Sequence, residues 1–308
     1  MSFYSREQSR RDVFPVFACR LQTERNSMKT LGYYKGKYGE IDEMMIPMSD
    51  RVHWFGDGVY DAGPCRNYHI FAIDEHIDRF FNSAALLEIQ MPVTKQELKD
   101  LLNELVKKMD TGNLFVYYQV TRGSGPRNHV FTEGPGNLWI TLTPAEIRDG
   151  KTPIKCITEQ DTRFYHCNVK TLNLIPSCVA AEHAKRAGAQ ETILYRHNMQ
   201  DRVTECAHSN CHIIKDNKLY TAPTDELILP GIARAHLIRM CKKLGYGVAE
   251  VPYDLDTLRN AQEILVTSSS NLCLYVNELD GKPVGGGAPE MLENIRSHLI
   301  DEFMEATE

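Results

Sequence analysis

A chain of 308 residues, 42% apolar and 25% charged, has the composition of an ordinary globular protein, and its length predicts about two domains. A formal net charge of −6, from 35 basic and 41 acidic residues, argues against nucleic-acid or anionic-membrane partners. No window approaches the roughly 18 consecutive apolar residues of a membrane helix, and the polar start, 1–11, lacks the apolar centre of a secretory signal.

Residues 1–27 carry no strong period and are rich in Arg, Ser and Gln, which predicts an N-terminal extension. The first strand-like text is Leu31 to Tyr34. From Asp74, the apolar residues Ile77, Phe80, Phe81, Ala84 and Leu87 recur at helical steps. Thr94-Lys95-Gln96-Glu97 is a capping-box sequence and opens a helix with Leu98, Leu101, Leu102, Leu105 and Met109 inward. Leu114 to Thr121 is β-branched and aromatic and predicts a strand. Gly123-Ser124-Gly125-Pro126 is turn chemistry, and Leu138 to Thr143 alternates as a second strand. These elements place a small α/β domain over 28–143 and an interdomain linker over the polar, proline-bounded 144–153.

The remainder, 154–308, mixes strands and helices in one larger domain. Strands are predicted at Ile154–Thr158, Thr192–Arg196, Val248–Val251 and Ile264–Thr267. A hairpin is predicted from Cys211–Lys215 and Lys218–Thr221 around Asp216-Asn217. Helices are predicted at Ser177–Ala187, Ile232–Leu244 and Pro289–Met304. No internal repeat is visible. The nine cysteines are odd in number and include no C-x-x-C pair, which predicts free thiols in a reducing cytosol and a cytoplasmic protein.

Four groups of residues carry chemistry. Lys170 lies in Cys167-Asn168-Val169-Lys170-Thr171-Leu172-Asn173-Leu174, a strand-like apolar alternation whose flanks favour a neutral, nucleophilic amine. Glu205 lies in the strand-like text between Val203 and Ala207, an awkward place for an unpaired acid. Leu229-Pro230-Gly231 runs into a helix whose first amides, at Ile232 and Ala233, suit an anion. The hydroxyl run Thr267-Ser268-Ser269-Ser270 ends a strand, and Arg79 flanks the apolar stripe of the first helix. Arg127 and His129 follow a strand in a glycine-rich loop, and Tyr60 ends Phe55-Gly56-Asp57-Gly58-Val59-Tyr60. Taken singly, each is more often a surface charge, a turn or a core aromatic. As a set they match the needs of a pyridoxal-phosphate (PLP) enzyme. Such an enzyme needs a Schiff-base lysine, a carboxylate for the pyridine nitrogen, a phosphate cup and a clamp for a carboxylate.

A rival constellation is Cys206, His208, Cys211 and His212, four zinc-type ligands within seven residues. A closed tetrahedral site usually draws on two separated pairs, and strand alternation sends Cys211 and His212 to opposite faces. No metal site is expected from them.

In order along the chain, Phe55 to Tyr60, His76 to Arg79, Val120 to Gly123, Pro126 to His129, Val169 to Leu174, Val203 to Glu205 with Ser209 and Asn210, Pro230 to Arg234, and Val266 to Ser269 resemble the fold-type IV PLP-dependent aminotransferases. The resemblance is strongest to their D-amino-acid type and covers nearly everything after residue 27. It implies a two-domain α/β (α+β) fold with a small N-terminal α/β domain, a larger C-terminal pseudo-barrel domain and PLP between them. It also implies a homodimer whose substrate pocket borrows residues from the partner. Lys170 would be the Schiff-base lysine and Glu205 the pyridine-nitrogen partner, with Ser209 and Asn210 beside it. Arg79, Ile232, Ala233 and Ser269 would hold the cofactor's phosphate, with Ser268 nearby and Gly231 also at the cofactor, and Tyr60, Arg127 and His129 would hold a substrate carboxylate.

The implied reaction moves an amino group between a D-amino acid, such as D-alanine, and a 2-oxo acid, such as 2-oxoglutarate. A branched-chain aminotransferase, an (R)-amine aminotransferase or an aminodeoxychorismate lyase is the alternative. Ile175, where branched-chain enzymes carry tyrosine, and the Pro126-Arg127-Asn128-His129 clamp favour the D-amino-acid type. Cys206, His208 and Ala233 depart from that type's usual residues.

Overall fold

A computed structural model describes residues 28–146 and 151–308. The expected extension 1–27 and the centre of the expected linker, 147–150, lie outside the described residues.

The N-terminal half is a six-stranded antiparallel sheet with two helices against one face. Its elements are β1 (Leu31–Tyr34), β2 (Lys37–Gly39), α1 (Val52–Phe55), β3 (Gly58–Arg66), β4 (His69–Ile70), α2 (Ile73–Leu86), α3 (Lys95–Val106), β5 (Leu114–Thr121) and β6 (Asn137–Pro144). The strand order is β2-β1-β6-β5-β3-β4. The capping box forms as the sequence predicts: Glu97 N donates to Thr94 Oγ1 and Thr94 N to Glu97 Oε2. The helical stripe of α2 supplies Ile77, Phe80 and Ala84 to a core shared with Leu98, Leu102 and Leu105 of α3 and Val116, Tyr118 and Val120 of β5.

The C-terminal half comprises β7 (Ile154–Gln160), α4 (Ile175–Arg186), β8 (Glu191–Arg196), β9 (Arg202–Cys206), β10 (Asn210–Lys215), β11 (Lys218–Thr221), α5 (Ile232–Lys243), β12 (Gly247–Glu250), α6 (Leu255–Arg259), β13 (Glu263–Ser268), β14 (Leu272–Leu279), β15 (Lys282–Pro283) and α7 (Pro289–Ala306). Its sheet runs β12-β11-β10-β13-β14-β7-β8-β9, with β15 beside β14. β9 and β10 are consecutive in the chain yet far apart in this order. Only Ala207-His208-Ser209 joins them, with Cys206 N donating to Ser209 O at 2.7 Å. The sheet must therefore curl until its end strand meets β10, which makes a pseudo-barrel.

Both faces of this sheet are covered. Cys211 and Ile213 of β10 and Ile264 and Val266 of β13 join one cluster inside the curl. The alternate residues Ile214 and Leu265 join another against Leu237 of α5 and Ile295 of α7. The β10–β11 hairpin turns at Asp216 and Asn217, both at positive φ (52° and 56°), as a tight two-residue hairpin requires.

Five strands exceed the sequence expectation: the short β2, β4 and β15 and the long β3 and β14. In β3 the alternation is broken by Asp61, Gly63 and Pro64. Helix α4 begins at Ile175, ahead of the expected Ser177, because Pro176 suits a first helical turn that has no amide to bond. The segment around Lys170 is not a strand of either sheet. It makes one isolated bridge, Val59 to Thr171, and so ties the C-terminal half to β3. Among the described residues no helix is long and apolar enough to cross a membrane, and the described cysteines are free thiols.

Candidate active site

Lys170 sits at the seam between the halves. Its carbonyl accepts from Tyr60 N at 2.9 Å, its amide donates to Ser83 Oγ of α2 at 3.2 Å, and Leu172 N donates to Gly58 O at 3.1 Å. Gly58 is required for this approach: a Cβ there would lie 2.7 Å from Leu172 Cδ1 and 2.7 Å from Val120 O. The Lys170 amine lies 4.4 Å from the centre of the Tyr60 ring, and no carboxylate pairs with it among the described residues. Tyr60 is held in turn by stacking on Tyr117, 5.3 Å between ring centres.

A cleft of about 370 Å³ opens around this amine. Tyr60, Arg79, Lys170, Glu205, Ser209, Asn210, Gly231, Ile232, Ala233, Ser268 and Ser269 all line it. Sequence reasoning therefore brought eleven named residues, from both halves, to one place. Arg127 and His129 do not line it. Both are exposed on the loop after β5 and pack on Phe55, the Arg127 guanidinium 5.5 Å and the His129 ring 5.3 Å from its centre.

One end of the cleft is built on Glu205, buried on β9. Its Oε2 accepts from Asn210 Nδ2 at 2.8 Å and from Leu229 N at 3.0 Å, and its Oε1 accepts from Arg163 Nη1. Arg163 also forks onto Asp161, at 3.0 and 2.9 Å. Burial pushes the Glu205 carboxyl above its ordinary value, and Arg163 opposes that rise. Sequence reading missed Arg163, which lies in a short loop after β7 with no local pattern to mark it.

The other end is an anion cup. Gly231 caps α5, so the first helical amides, at Ile232 and Ala233, face the cleft without partners in their own helix. A Cβ on Gly231 would fall 2.0 Å from Asn210 Oδ1, so only glycine fits there. The Asn210 amide meanwhile donates to Leu229 O at 3.0 Å, which links the cup to Glu205. Arg79 forks onto Asp61 of β3 through two bonds of 2.8 Å and reaches Pro230 O at 3.4 Å. It is not paired with Glu75, the partner helical spacing would offer, since Glu75 meets Arg239 instead. Burial would raise the Asp61 carboxyl, but Arg79 and His76 hold it well below the usual carboxylate range. An acid set in the apolar strand text of β3 was the one available signal for this pair. Thr267 donates to or accepts from His212 Nε2 at 2.8 Å behind the cup, and Thr221 does the same at Nδ1, 2.9 Å away.

Of the three residues that depart from the resembled pattern, all line the cleft: Cys206, His208 and Ala233. Ile175, the residue that separates this chain from branched-chain enzymes, is 75% exposed at the start of α4 and does not.

The family model for Amino-transferase class IV matches residues 58–279. The chain belongs to this family. Among curated relatives of this class IV aminotransferase, the D-alanine aminotransferase of Listeria monocytogenes serotype 1/2a (strain 10403S) is 38% identical over 276 residues, 87% of this chain and 94% of the relative. That of Bacillus licheniformis is 34% identical over 284 residues, 91% of this chain and 99% of the relative. Among solved structures, the branched-chain amino acid aminotransferase from Escherichia coli superposes with a TM-score of 0.82 at 21% identity, covering 91% of this chain and 96% of that one. Such a likeness bears out the two-domain fold-type IV architecture of this aminotransferase.

Proposed function

We propose that this aminotransferase uses PLP to move an amino group between a D-amino acid, such as D-alanine, and a 2-oxo acid, such as 2-oxoglutarate. The observation that carries the reading is the Lys170 amine, without a carboxylate partner among the described residues, set between a buried acid and an anion cup in one cleft. D-alanine aminotransferases at 34% and 38% identity support the D-amino-acid reading over the branched-chain one, represented at 21%.

The residues fit the cofactor. The Ile232 and Ala233 amides, the Ser268 and Ser269 hydroxyls and Arg79 would hold its phosphate, with Gly231 leaving room. Glu205 would pair with its ring nitrogen, flanked by Ser209 and Asn210. When bound, PLP supplies an electron sink for charge developing at the substrate's Cα. Lys170 Nζ would take the proton from that Cα and deliver it to the cofactor carbon on the far side of the amino nitrogen. Arg163 opposes the rise that burial causes at Glu205, which would favour the pairing of this acid with a protonated ring nitrogen. Tyr60 would orient the substrate carboxylate, together with Arg127 and His129. Because that pair stands outside its own chain's cleft, we assign it to the cleft of a partner copy, and hence propose a homodimer acting in the cytoplasm. We place the domain boundary at 144–153.

Purified protein mixed with D- or L-alanine and 2-oxoglutarate tests the reaction. Turnover of D-alanine is expected, and turnover of the L-isomer alone would sink the proposal. A visible chromophore should vanish on borohydride treatment and be missing from Lys170→Ala.

A further inference from the structure

His208 stands on the turn between β9 and β10, in the wall of the cleft, with its side chain 60% exposed. Its Nδ1 lies 2.8 Å from Oε2 of Glu191, whose side chain is only 2% exposed. The same carboxylate accepts from Ser209 Oγ, and its Oε1 accepts from Thr192 N at 2.9 Å. Three donors thus converge on one buried carboxylate. It anchors the imidazole through Nδ1, leaving Nε2 as the nitrogen that a ligand in the cleft would meet.

The arginines and the lysine of the cleft wall are differently committed, and the wall's other imidazole, His166, has no carboxylate paired with it among the described residues. Arg79 is forked onto Asp61 and Arg163 onto Asp161 and Glu205. Lys170 is the reacting amine. His208 is thus the imidazole of the described wall that is backed by a buried carboxylate, and its Nε2 has no hydrogen-bond partner among the described residues. Its position relative to Tyr60 sets which part of a ligand it meets. Tyr60 comes from β3 of the N-terminal half and stands beside Lys170. His208 comes from the C-terminal half. A substrate with its Cα at Lys170 and its α-carboxylate on the Tyr60 side extends its side chain toward the C-terminal wall.

We propose that His208, aimed by Glu191, recognises the distal carboxylate of dicarboxylic substrates such as 2-oxoglutarate and D-glutamate. This rests on the transaminase reading above and adds a specificity residue to it. Glu191 acts as a positioning residue. The charged groups facing His208 are Glu191 on β8, which raises the imidazole's pKa through its hydrogen bond, and Lys170 on the seam segment, which opposes that rise.

Calorimetric binding of glutarate and butyrate to the holoenzyme tests this, since neither can react. The ratio of glutarate to butyrate affinity should fall about tenfold in His208→Gln, the worth of one charge-assisted hydrogen bond. It should be largely restored in His208→Lys. Glutarate binding to the unaltered enzyme should weaken as pH rises through the histidine's raised pKa, and at lower pH in Glu191→Gln. An unchanged ratio in His208→Gln would overturn the assignment. So would an equal loss for both acids, which would place His208 on the shared carboxylate. An enzyme that turns over no D-amino acid yet keeps the glutarate preference would overturn the transaminase reading while leaving His208 in place.

Discussion

Arg163 donates to Glu205 at the wall of the cleft while its remaining nitrogens fork onto Asp161 and reach Leu227 O at 3.2 Å. The acid that would face the cofactor is therefore pushed toward its charged form, against its burial, by an arginine anchored elsewhere. Such anchoring residues typically matter ten- to a hundredfold at functional sites. Arg163→Met should lower kcat/KM by about that factor, read by steady-state kinetics. Glu205 is already raised by burial, and the variant should raise it further. A carboxyl raised on folding contributes stability below its unfolded value, near 4.3, and loses it as pH rises through the folded value. Thermal melts of Arg163→Met should show that loss extending to higher pH than in the unaltered protein.

Asp61 provides the opposite sign. Arg79 and His76 hold its carboxyl well below its ordinary value despite burial. Its contribution is present above about pH 4 and lost as pH falls through the lower folded value. Asp61→Asn leaves the Arg79 guanidinium buried and unpaired, which should cost about 3–5 kcal/mol in denaturant unfolding. Its stability should also fall less steeply below pH 4 than that of the unaltered protein.

His212 is fully buried between two threonine hydroxyls, and burial, with Arg234 nearby, pushes its pKa down to about 3. The folded state thus resists a proton that the unfolded chain accepts near pH 6.5. Stability should fall as pH drops from about 6.5 toward 3. Unfolding midpoints measured across that range should show this slope, and His212→Gln should remove it. An unchanged slope in His212→Gln would assign it to other groups.

The legible parts of the chain were those whose signal is local. The stripe of α2, the capping box at Thr94 and the Asp216-Asn217 hairpin each follow from residues within one or two turns of one another. Most of the cleft was legible too, because Lys170, Glu205, the Pro230-Gly231 helix start and the serine run are short motifs in a recognisable order. Arg163 was not, since its importance comes from meeting Glu205 across 42 positions of sequence. Nor was the Asp61–Arg79 pair, since helical spacing offered Arg79 a nearer partner in Glu75.

Sequence alone determined the family of this chain, the identity of its candidate amine and acid, and most of its helices, because periodicity and motif chemistry are written in neighbouring residues. Only the tertiary structure decided which charges face one another. It set Lys170 against Tyr60 through a bridge to β3, gave Glu205 its arginine, aimed His208 by Glu191, and left Arg127 and His129 outside their own chain's cleft. Coulombic and hydrogen-bond energies depend on distance through space and on burial, and neither is fixed until the sheet curls and the two halves meet.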